Sequence, residues 1–226
     1  MVSKPYYVGV ARRSFWLALE TTVIALLLGY PAALVLRDLP ARLAAALTLA
    51  MTLPILASPL VVVLGWMILL SDGGPLLHPL TQWGLIGRLR ILGSETGIVI
   101  GVVHFVLPFV VLSLASVLRA IPASLIEAAR DLGANCWQRF GSVILPLSLP
   151  GLLSATIITL SLSMSSFIAP HYLGGPSDMT LTTLVAQFVL ATYNGQLAAA
   201  VSVVLLLAMA GLILLLTVGA SRWVRA

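Results

Sequence analysis

Long apolar stretches, separated by short polar segments, run through most of the chain. Aspartate, glutamate, lysine and arginine are absent from five intervals, namely 21–36, 43–71, 96–118, 140–177 and 179–221. A helix that crosses a bilayer needs about 20 mostly apolar residues, and the first interval reaches that length when it starts near Ser14 and includes Glu20. The pattern predicts an all-α, polytopic helical membrane protein, a single domain with five spans at about 14–36, 44–70, 96–118, 148–169 and 197–219.

Composition supports the membrane assignment. The 226 residues are 60% hydrophobic and 8% charged, with a mean hydropathy of +1.12, which excludes an ordinary soluble domain. The net charge of +5 comes from basic residues that stand singly or in pairs near the predicted span ends. Such residues anchor helices and set topology, so we expect the lipid bilayer as a partner and no nucleic acid.

The basic residues also bear on orientation, because five spans put the two termini on opposite sides. One side receives seven arginines, Arg37, Arg42, Arg119, Arg130, Arg139, Arg222 and Arg225. The other side receives five basic residues, Lys4, Arg12, Arg13, Arg88 and Arg90. The positive-inside rule favours a cytoplasmic location for the first set and an outside N-terminus, whereas the basic N-terminus argues for the reverse.

The sequence lacks the residues that most enzymes and metal sites need. Lys4 is the only lysine, so a P-loop nucleotide site is excluded, and the lone Cys136 and three separated histidines form no metal-binding motif. His104 and a serine of 161–166 are the parts of an intramembrane serine protease, but no G-x-S-x-G turn accompanies those serines. We therefore expect no cofactor, no metal and no catalytic residue.

The segment 119–150 is the most polar stretch between two long apolar runs. A capping box over Ser124–Glu127 predicts a short helix over 125–132, and Gly133 follows where a helix commonly ends in a left-handed residue. A second box over 135–138 predicts another short helix. From these residues alone the segment is either a capped surface loop or a rigid docking element for a soluble partner.

The same segment resembles the signature loop of permease subunits in ABC importers. That loop has the pattern E-A-A-x₃-G-x₉-aliphatic-x-L-P, and this chain matches each interval, with Val143 where isoleucine is commoner. The resemblance implies that 119–147 is a cytoplasmic coupling loop whose helix docks on an ATPase. The residues to which it assigns ATPase coupling are Glu127, Ala128, Ala129, Asp131, Gly133, Leu145 and Pro146.

Further short matches resemble the first permease of spermidine/putrescine-type importers. They are Leu28-Gly29-Tyr30-Pro31-Ala32-Ala33, Leu107-Pro108-Phe109, EAARDLGA at 127–134, Pro170-His171-Tyr172-Leu173-Gly174-Gly175 and Gln187-Phe188. The resemblance implies a bacterial inner-membrane permease for a small solute such as spermidine or putrescine. It also implies three kinds of partner: a cytoplasmic ABC ATPase dimer, a second related permease chain, and a periplasmic or lipid-anchored substrate-binding protein.

The resemblance further implies an N-terminus in the periplasm and a C-terminus in the cytoplasm if there are five spans. Permeases of this subfamily usually have six spans, the first of which precedes the part that matches Ser14 onward. A natural five-span core and a start codon assigned too late both remain open. A secondary transporter or channel without an ATPase is the alternative function.

Polar residues inside the predicted spans are candidates for the translocation pathway. Glu20 is either an interfacial acid or a carboxylate that faces the pathway. Thr156, Thr159, Ser163 and Ser166 share one helical face, which either packs against a neighbouring helix or lines the pathway. The candidate pathway residues are therefore Glu20, Thr159, Ser163 and Ser166.

Glycine and proline predict local features of the spans, and three acids stand in the predicted outer loops. Gly97-x-x-x-Gly101 predicts a close helix contact, and Pro54 and Pro59 predict a bend in the second span. We assign no individual role to the loop acids, which are Asp72, Glu95 and Asp178.

Overall fold

The computed structural model describes residues 4–71, 73–82 and 91–224, and this part of the chain is helical without strands. Asp72, Arg88, Arg90 and Arg225 lie outside the described residues. The elements, in chain order, are α1 (Lys4–Asp38), α2 (Ala41–Leu56), α3 (Pro59–Leu69), α4 (Leu77–Gln82), α5 (Glu95–Ala120), α6 (Ala123–Asp131), α7 (Cys136–Arg139), a π-helical turn (Phe140–Ile144), α8 (Leu145–Ser165), α9 (Ile168–Leu173), α10 (Leu181–Leu190) and α11 (Gly195–Val224).

Four helical segments of the described chain are long and apolar enough to cross a membrane. They are 6–38 in α1, α5, the continuous segment from α7 to α8, and 195–218 in α11. Helices α2 and α3 pass the same test only together, and they meet at a bend of 97°. The chain therefore has four such helices, or five candidate spans if the bent pair counts as one.

The bend lies between the two prolines that the sequence singled out. Ala57 and Ser58 are extended, with ψ values of 150° and 128°. The helical region is disfavoured for a residue directly before proline, which accounts for Ser58. Pro59 then opens α3, where its missing N–H costs nothing. The predicted stretch 44–70 is consequently two helices set nearly at right angles rather than one kinked helix.

Helix α5 is the centre of the bundle and packs against α1, α2, α3, α8 and α9. Val102, Val106, Val110 and Leu114, which follow one another at four-residue intervals, are fully buried. Glycines on the neighbouring helices allow the close approach, since a Cβ at Gly29 would lie 2.5 Å from Val110 Cγ1. Tight van der Waals packing is what holds helices together in lipid, where burial of apolar surface gives little.

The Gly97 and Gly101 pair makes the close helix contact that the sequence predicts, with α9 as the partner. A Cβ at Gly97 would lie 2.7 Å from the backbone oxygen of Ile91 and 3.2 Å from that of Leu173. A Cβ at Gly101 would meet the Leu173 side chain at 2.5 Å. Backbone atoms cannot move aside as a leucine side chain can, so Gly97 is the stricter position.

We expect Gly97→Ala to lower the thermal midpoint of the purified chain in detergent. Overpacking costs about 1–3 kcal/mol, which exceeds the gain of up to ~1 kcal/mol that alanine brings to a helix interior. Gly211→Ala is the matched control, because no atom lies within 4 Å of its Cβ position. Equal midpoints for the two variants would contradict the packing described for Gly97.

Candidate functional site

The segment between α5 and α8 contains the residues that the sequence assigns to ATPase coupling. Helix α6 begins at Ala123 after the N-cap Pro122, and Pro122 makes no side-chain cap. The predicted capping box over Ser124–Glu127 is wrong, because Pro122 is extended and Ser124 is already the second helical residue. Among the described residues, the exposed Glu127 carboxylate has no hydrogen-bond partner and is free to meet another molecule.

The turn at Gly133 is left-handed, as predicted, with φ of +83°. Its N–H donates to Arg130 O at 2.9 Å, and the Ala134 N–H donates to Ala129 O at 3.0 Å, which satisfies carbonyls at the end of α6. No atom lies within 4 Å of a Cβ built on Gly133. The requirement for glycine is therefore conformational and not steric.

The second predicted capping box is confirmed at the start of α7. Gln138 N–H donates to Asn135 Oδ1, and Asn135 N–H donates to Gln138 Oε1, both at 2.8 Å. The helix then widens into the π-helical turn, where Leu145 N–H reaches back five residues to Phe140 O. Pro146 has no N–H and its ring would clash with the carbonyl four residues earlier, which explains a widened turn here.

Tyr30, in the last third of α1, connects this segment to the bundle. Its hydroxyl lies 2.7 Å from Ser148 Oγ, and its ring packs edge-on against Phe140 with 5.7 Å between centroids. In the sequence, Tyr30 belongs to the Leu28–Ala33 match, which assigns it no role of its own. The contact lies 118 residues away along the chain, so only the three-dimensional fold reveals it.

Two large apolar side chains of the segment are exposed. Leu132 is 88% exposed and Trp137 is 83% exposed, and both lie beside polar and charged residues outside the apolar helices. Tryptophan and leucine bury readily when a surface covers them. The two side chains are therefore available as contacts for a partner.

At the opposite end of the bundle, Arg13 joins three parts of the chain. Its guanidinium lies 3.0 Å from Glu95 Oε2 and forms a close ion pair with Asp178, and it also donates to Ser177 O at 2.9 Å. Asp178 is 5% exposed and accepts a second hydrogen bond from Gly175 N–H at 2.9 Å. We call this set, Arg13, Glu95 and Asp178, the arginine clasp.

A neutral hydrogen bond reinforces the arginine clasp. Ser14 Oγ accepts from the N–H of Leu181, the first residue of α10, at 2.8 Å. Helix α1 thereby holds the start of both α5 and α10. Sequence reasoning missed these roles because the partners of Arg13 lie 82 and 165 residues away.

The four candidate pathway residues do not come together on one surface. Thr159 and Ser163 are buried at 0% and 5% exposure, and their hydroxyls have no hydrogen-bond partner. Glu20 lies on α1, half-buried. Ser166 lies where α8 ends, and it lines a cavity of about 370 Å³ between α3, α5 and α9.

Comparison with known proteins identifies the family. The model of the binding-protein-dependent transport system inner membrane component matches residues 25–225. The spermidine/putrescine transport system permease protein PotB of Haemophilus influenzae is 34% identical over 210 residues, covering 92% of this chain and 73% of that protein. PotB of Escherichia coli is 33% identical over 219 residues, covering 96% and 79%. The chain belongs to this family of inner membrane transport components.

Solved structures agree on the fold. A chain from the crystal structure of a bacterial alginate ABC transporter, in complex with an alginate pentasaccharide-bound periplasmic protein, superposes with a TM-score of 0.82. The match covers 97% of this chain and 80% of that one at 16% identity, so it shows the fold alone. The predicted all-α, polytopic permease fold and the resemblance to ABC importer permeases are confirmed, and the chain is a multi-pass inner-membrane permease subunit.

We expect Arg13→Ala to destabilise the chain while Arg12→Ala does not. Removing one partner of a buried ion pair costs about 3–5 kcal/mol, and the Arg13 side chain is 31% exposed, so we expect about 2 kcal/mol. Arg12 is the matched control because it is exposed and has no partner among the described residues. The measurement is the thermal midpoint in detergent.

The double variant Arg13→Ala/Asp178→Asn tests whether the unpaired charge of Asp178 causes the destabilisation, rather than the loss of the Arg13 side chain itself. It should recover part of the loss, because an amide leaves no unpaired charge in the buried position. If it is less stable than Arg13→Ala alone, the buried charge of Asp178 is not the cause of the destabilisation.

Proposed function

We propose that this chain forms half of the translocation pathway of an ATP-driven importer and passes a conformational signal from a cytoplasmic ATPase to the membrane helices. The observation that carries the proposal is the segment from α6 to the π-helical turn. It combines exposed apolar side chains, a left-handed turn that fixes its shape, and a direct contact with α1 through Tyr30. A loop that only linked two helices would need none of these features.

The ATPase contact lies on α6 and α7 in this proposal. Leu132 and Trp137 supply apolar contacts, and the Glu127 carboxylate supplies a charged one. Large side chains surrounded by polar residues are the usual anchors of a protein interface. Ala128 and Ala129 have small side chains, so an ATPase groove could come close to the backbone on that face of α6.

A push on α7 would reach the membrane helices by two routes. The first is mechanical continuity, since α7, the π-helical turn and α8 form one uninterrupted helical segment. The second is the contact of Tyr30 with Phe140 and Ser148, which connects the segment to α1. Rigid-body rocking of two permease chains about their interface would then alternate access to the pathway.

The proposed orientation places the coupling segment in the cytoplasm and the N-terminus in the periplasm. Seven arginines on the coupling side, against five basic residues on the other, support it, and so does the resemblance of 119–147 to a cytoplasmic coupling loop. A substrate-binding protein would deliver cargo at the clasp end, and a second permease chain would complete the pathway.

Spermidine and putrescine are the proposed cargo. Identity of 33–34% to PotB proteins over more than nine tenths of the chain supports this class. Glu20 is the carboxylate of this chain that lies within a predicted span, and its charge would favour a polyamine. One carboxylate is few for a polycation, so the binding protein and the second permease would supply much of the selectivity.

The cavity beside Ser166 is the part of the chain that we propose to contribute to the pathway. Two helix interruptions border it, the bend between α2 and α3 and the break between α8 and α9. Interrupted helices at membrane depth are typical of substrate sites in transporters. Thr159 and Ser163 would then support the neighbouring helix packing, while Glu20 and Ser166 remain candidates to face cargo.

Cysteine labelling tests this division of roles. In a Cys136→Ser background of the assembled transporter, we expect Ser166→Cys to react with a water-soluble maleimide and Thr159→Cys to resist it, since Thr159 is fully buried. Nucleotide should change the rate at Ser166→Cys because the pathway alternates. Labelling of Thr159→Cys at the same rate as Ser166→Cys would contradict the proposal.

The function itself is tested by purifying the tagged chain in a mild detergent and identifying bound proteins by mass spectrometry. We expect an ABC ATPase and a second permease, and the binding protein of the same system should bind spermidine or putrescine. Recovery of the folded chain alone would contradict the ATPase-coupled function and favour a secondary transporter.

The reconstituted complex then tests the turn at Gly133. Gly133→Leu puts a side chain at φ of +83°, which costs about 1–2 kcal/mol and shifts the turn population roughly five- to thirtyfold. We expect ATP hydrolysis without matching uptake, and normal membrane insertion. Gly211→Leu is the control, because its Cβ position is also open, its φ is ordinary, and it lies outside the coupling segment. Normal transport by Gly133→Leu would refute the coupling role of the turn.

A further inference from the structure

A cleft opens between the start of α2 and the end of α5, at the same end of the bundle as the coupling segment. Its volume is about 570 Å³. Small and apolar side chains of α2 form most of one wall, and the Arg119 side chain of α5 lines the other side. The lining includes Ala41, Ala45, Thr48, Leu49, Thr52 and Arg119.

Arg119 is the charged residue that lines the cleft, and two further arginines stand near the start of α2 in sequence. Arg119 has one hydrogen bond among the described residues, to Leu36 O at 3.1 Å, which leaves most of its five N–H donors free. Arg42, in the first turn of α2, is exposed and has no partner within the described chain. Arg37 stands nearby in sequence, and the one neighbouring carboxylate, Asp38, is 82% exposed and 3.9 Å from it.

The walls of the cleft suit a hydrocarbon chain. Alanine at 41 and 45 leaves space beside the backbone of α2, and Leu49 adds apolar surface. The Thr52 hydroxyl donates to carbonyls of its own helix, Thr48 O and Leu49 O, both at 3.0 Å. That hydroxyl is therefore paired within its own helix, and Thr48 supplies one more hydroxyl to an otherwise apolar wall.

We propose that this cleft binds an anionic phospholipid, with the phosphate at Arg119 and an acyl chain along α2. Arginine forms strong paired hydrogen bonds with phosphate oxygens, and the cytoplasmic leaflet is rich in anionic lipid. Only the assignment of the cleft to the cytoplasmic leaflet rests on the proposed function. The bound lipid would lie beside the last turn of α5, directly before the coupling segment.

Native mass spectrometry of the full chain tests the proposal, with equal amounts of phosphatidylglycerol and phosphatidylethanolamine added in detergent. We expect preferential retention of phosphatidylglycerol, about a tenfold loss of that preference in Arg119→Gln, and partial rescue in Arg119→Lys, because a charge returns without the planar fork. Ala45→Phe should reduce retention of lipid by filling the cleft. Arg12→Gln, at the other end of the bundle, should change nothing.

Three results would overturn the proposal. The first is that the chain shows no preference for phosphatidylglycerol. The second is that Arg119→Gln and Arg12→Gln lose this preference equally while both remain folded, as judged by their thermal midpoints. The third is a cross-link from Thr48→Cys, in a Cys136→Ser background, to the second permease, since that chain would then fill the cleft. Neither readout requires an ATPase, so the lipid site and the proposed transport function can fail independently.

Discussion

Hydrocarbon offers the peptide backbone no hydrogen-bond partner, and this constraint decides where the chain can depart from a helix. Two breaks between apolar helices occur at 57–58 and at 166–167. Each break keeps some hydrogen bonds of its backbone. Ala57 N–H donates to Leu53 O, Pro59 has no N–H to satisfy, and Ser166 O accepts from the Thr182 hydroxyl at 2.8 Å. The two breaks border the 370 Å³ cavity, and interrupted helices are typical of substrate sites in transporters, which is why we associate that cavity with the pathway.

Because apolar surroundings hold little water, the few charged groups of the chain depend on partners within the protein. Asp178 is buried at 5% exposure, and such a carboxylate is tolerable only with a cation and hydrogen-bond donors around it. Arg13 and Gly175 N–H meet that need. The clasp thereby fixes the relation of α1 to α5 and α10 at one end, while the coupling segment at the other end keeps exposed side chains for a partner. The clasp ties one end of the bundle together, and the other end presents exposed side chains.

Much of the fold follows from local sequence, and the limits of that reasoning are specific. Charge-free runs predict helices because the bilayer admits little else, and Gly133 and the Asn135 box were predictable because each depends on residues within four positions. The Ser124 box failed for a local reason as well, since an extended Pro122 starts the helix two residues early. The right-angle bend of α2 and α3 exceeded the expected kink, because extended backbone at two consecutive residues changes direction more than one proline does.

The candidate site was less predictable, because periodicity gives a face of a helix but not the neighbour of that face. Thr159 and Ser163 share a face with Ser166, yet helix packing buries the first two and the end of α8 leaves the third beside a cavity. Arg13 and Tyr30 act through partners more than 80 residues away. These long-range contacts set what can move together: the clasp holds α1 at one end, and Tyr30 connects it to the coupling segment at the other. A push on α7 would therefore act on α1, α5 and α8 as one packed unit, while the α2–α3 pair and the α10–α11 pair pack less extensively against that unit.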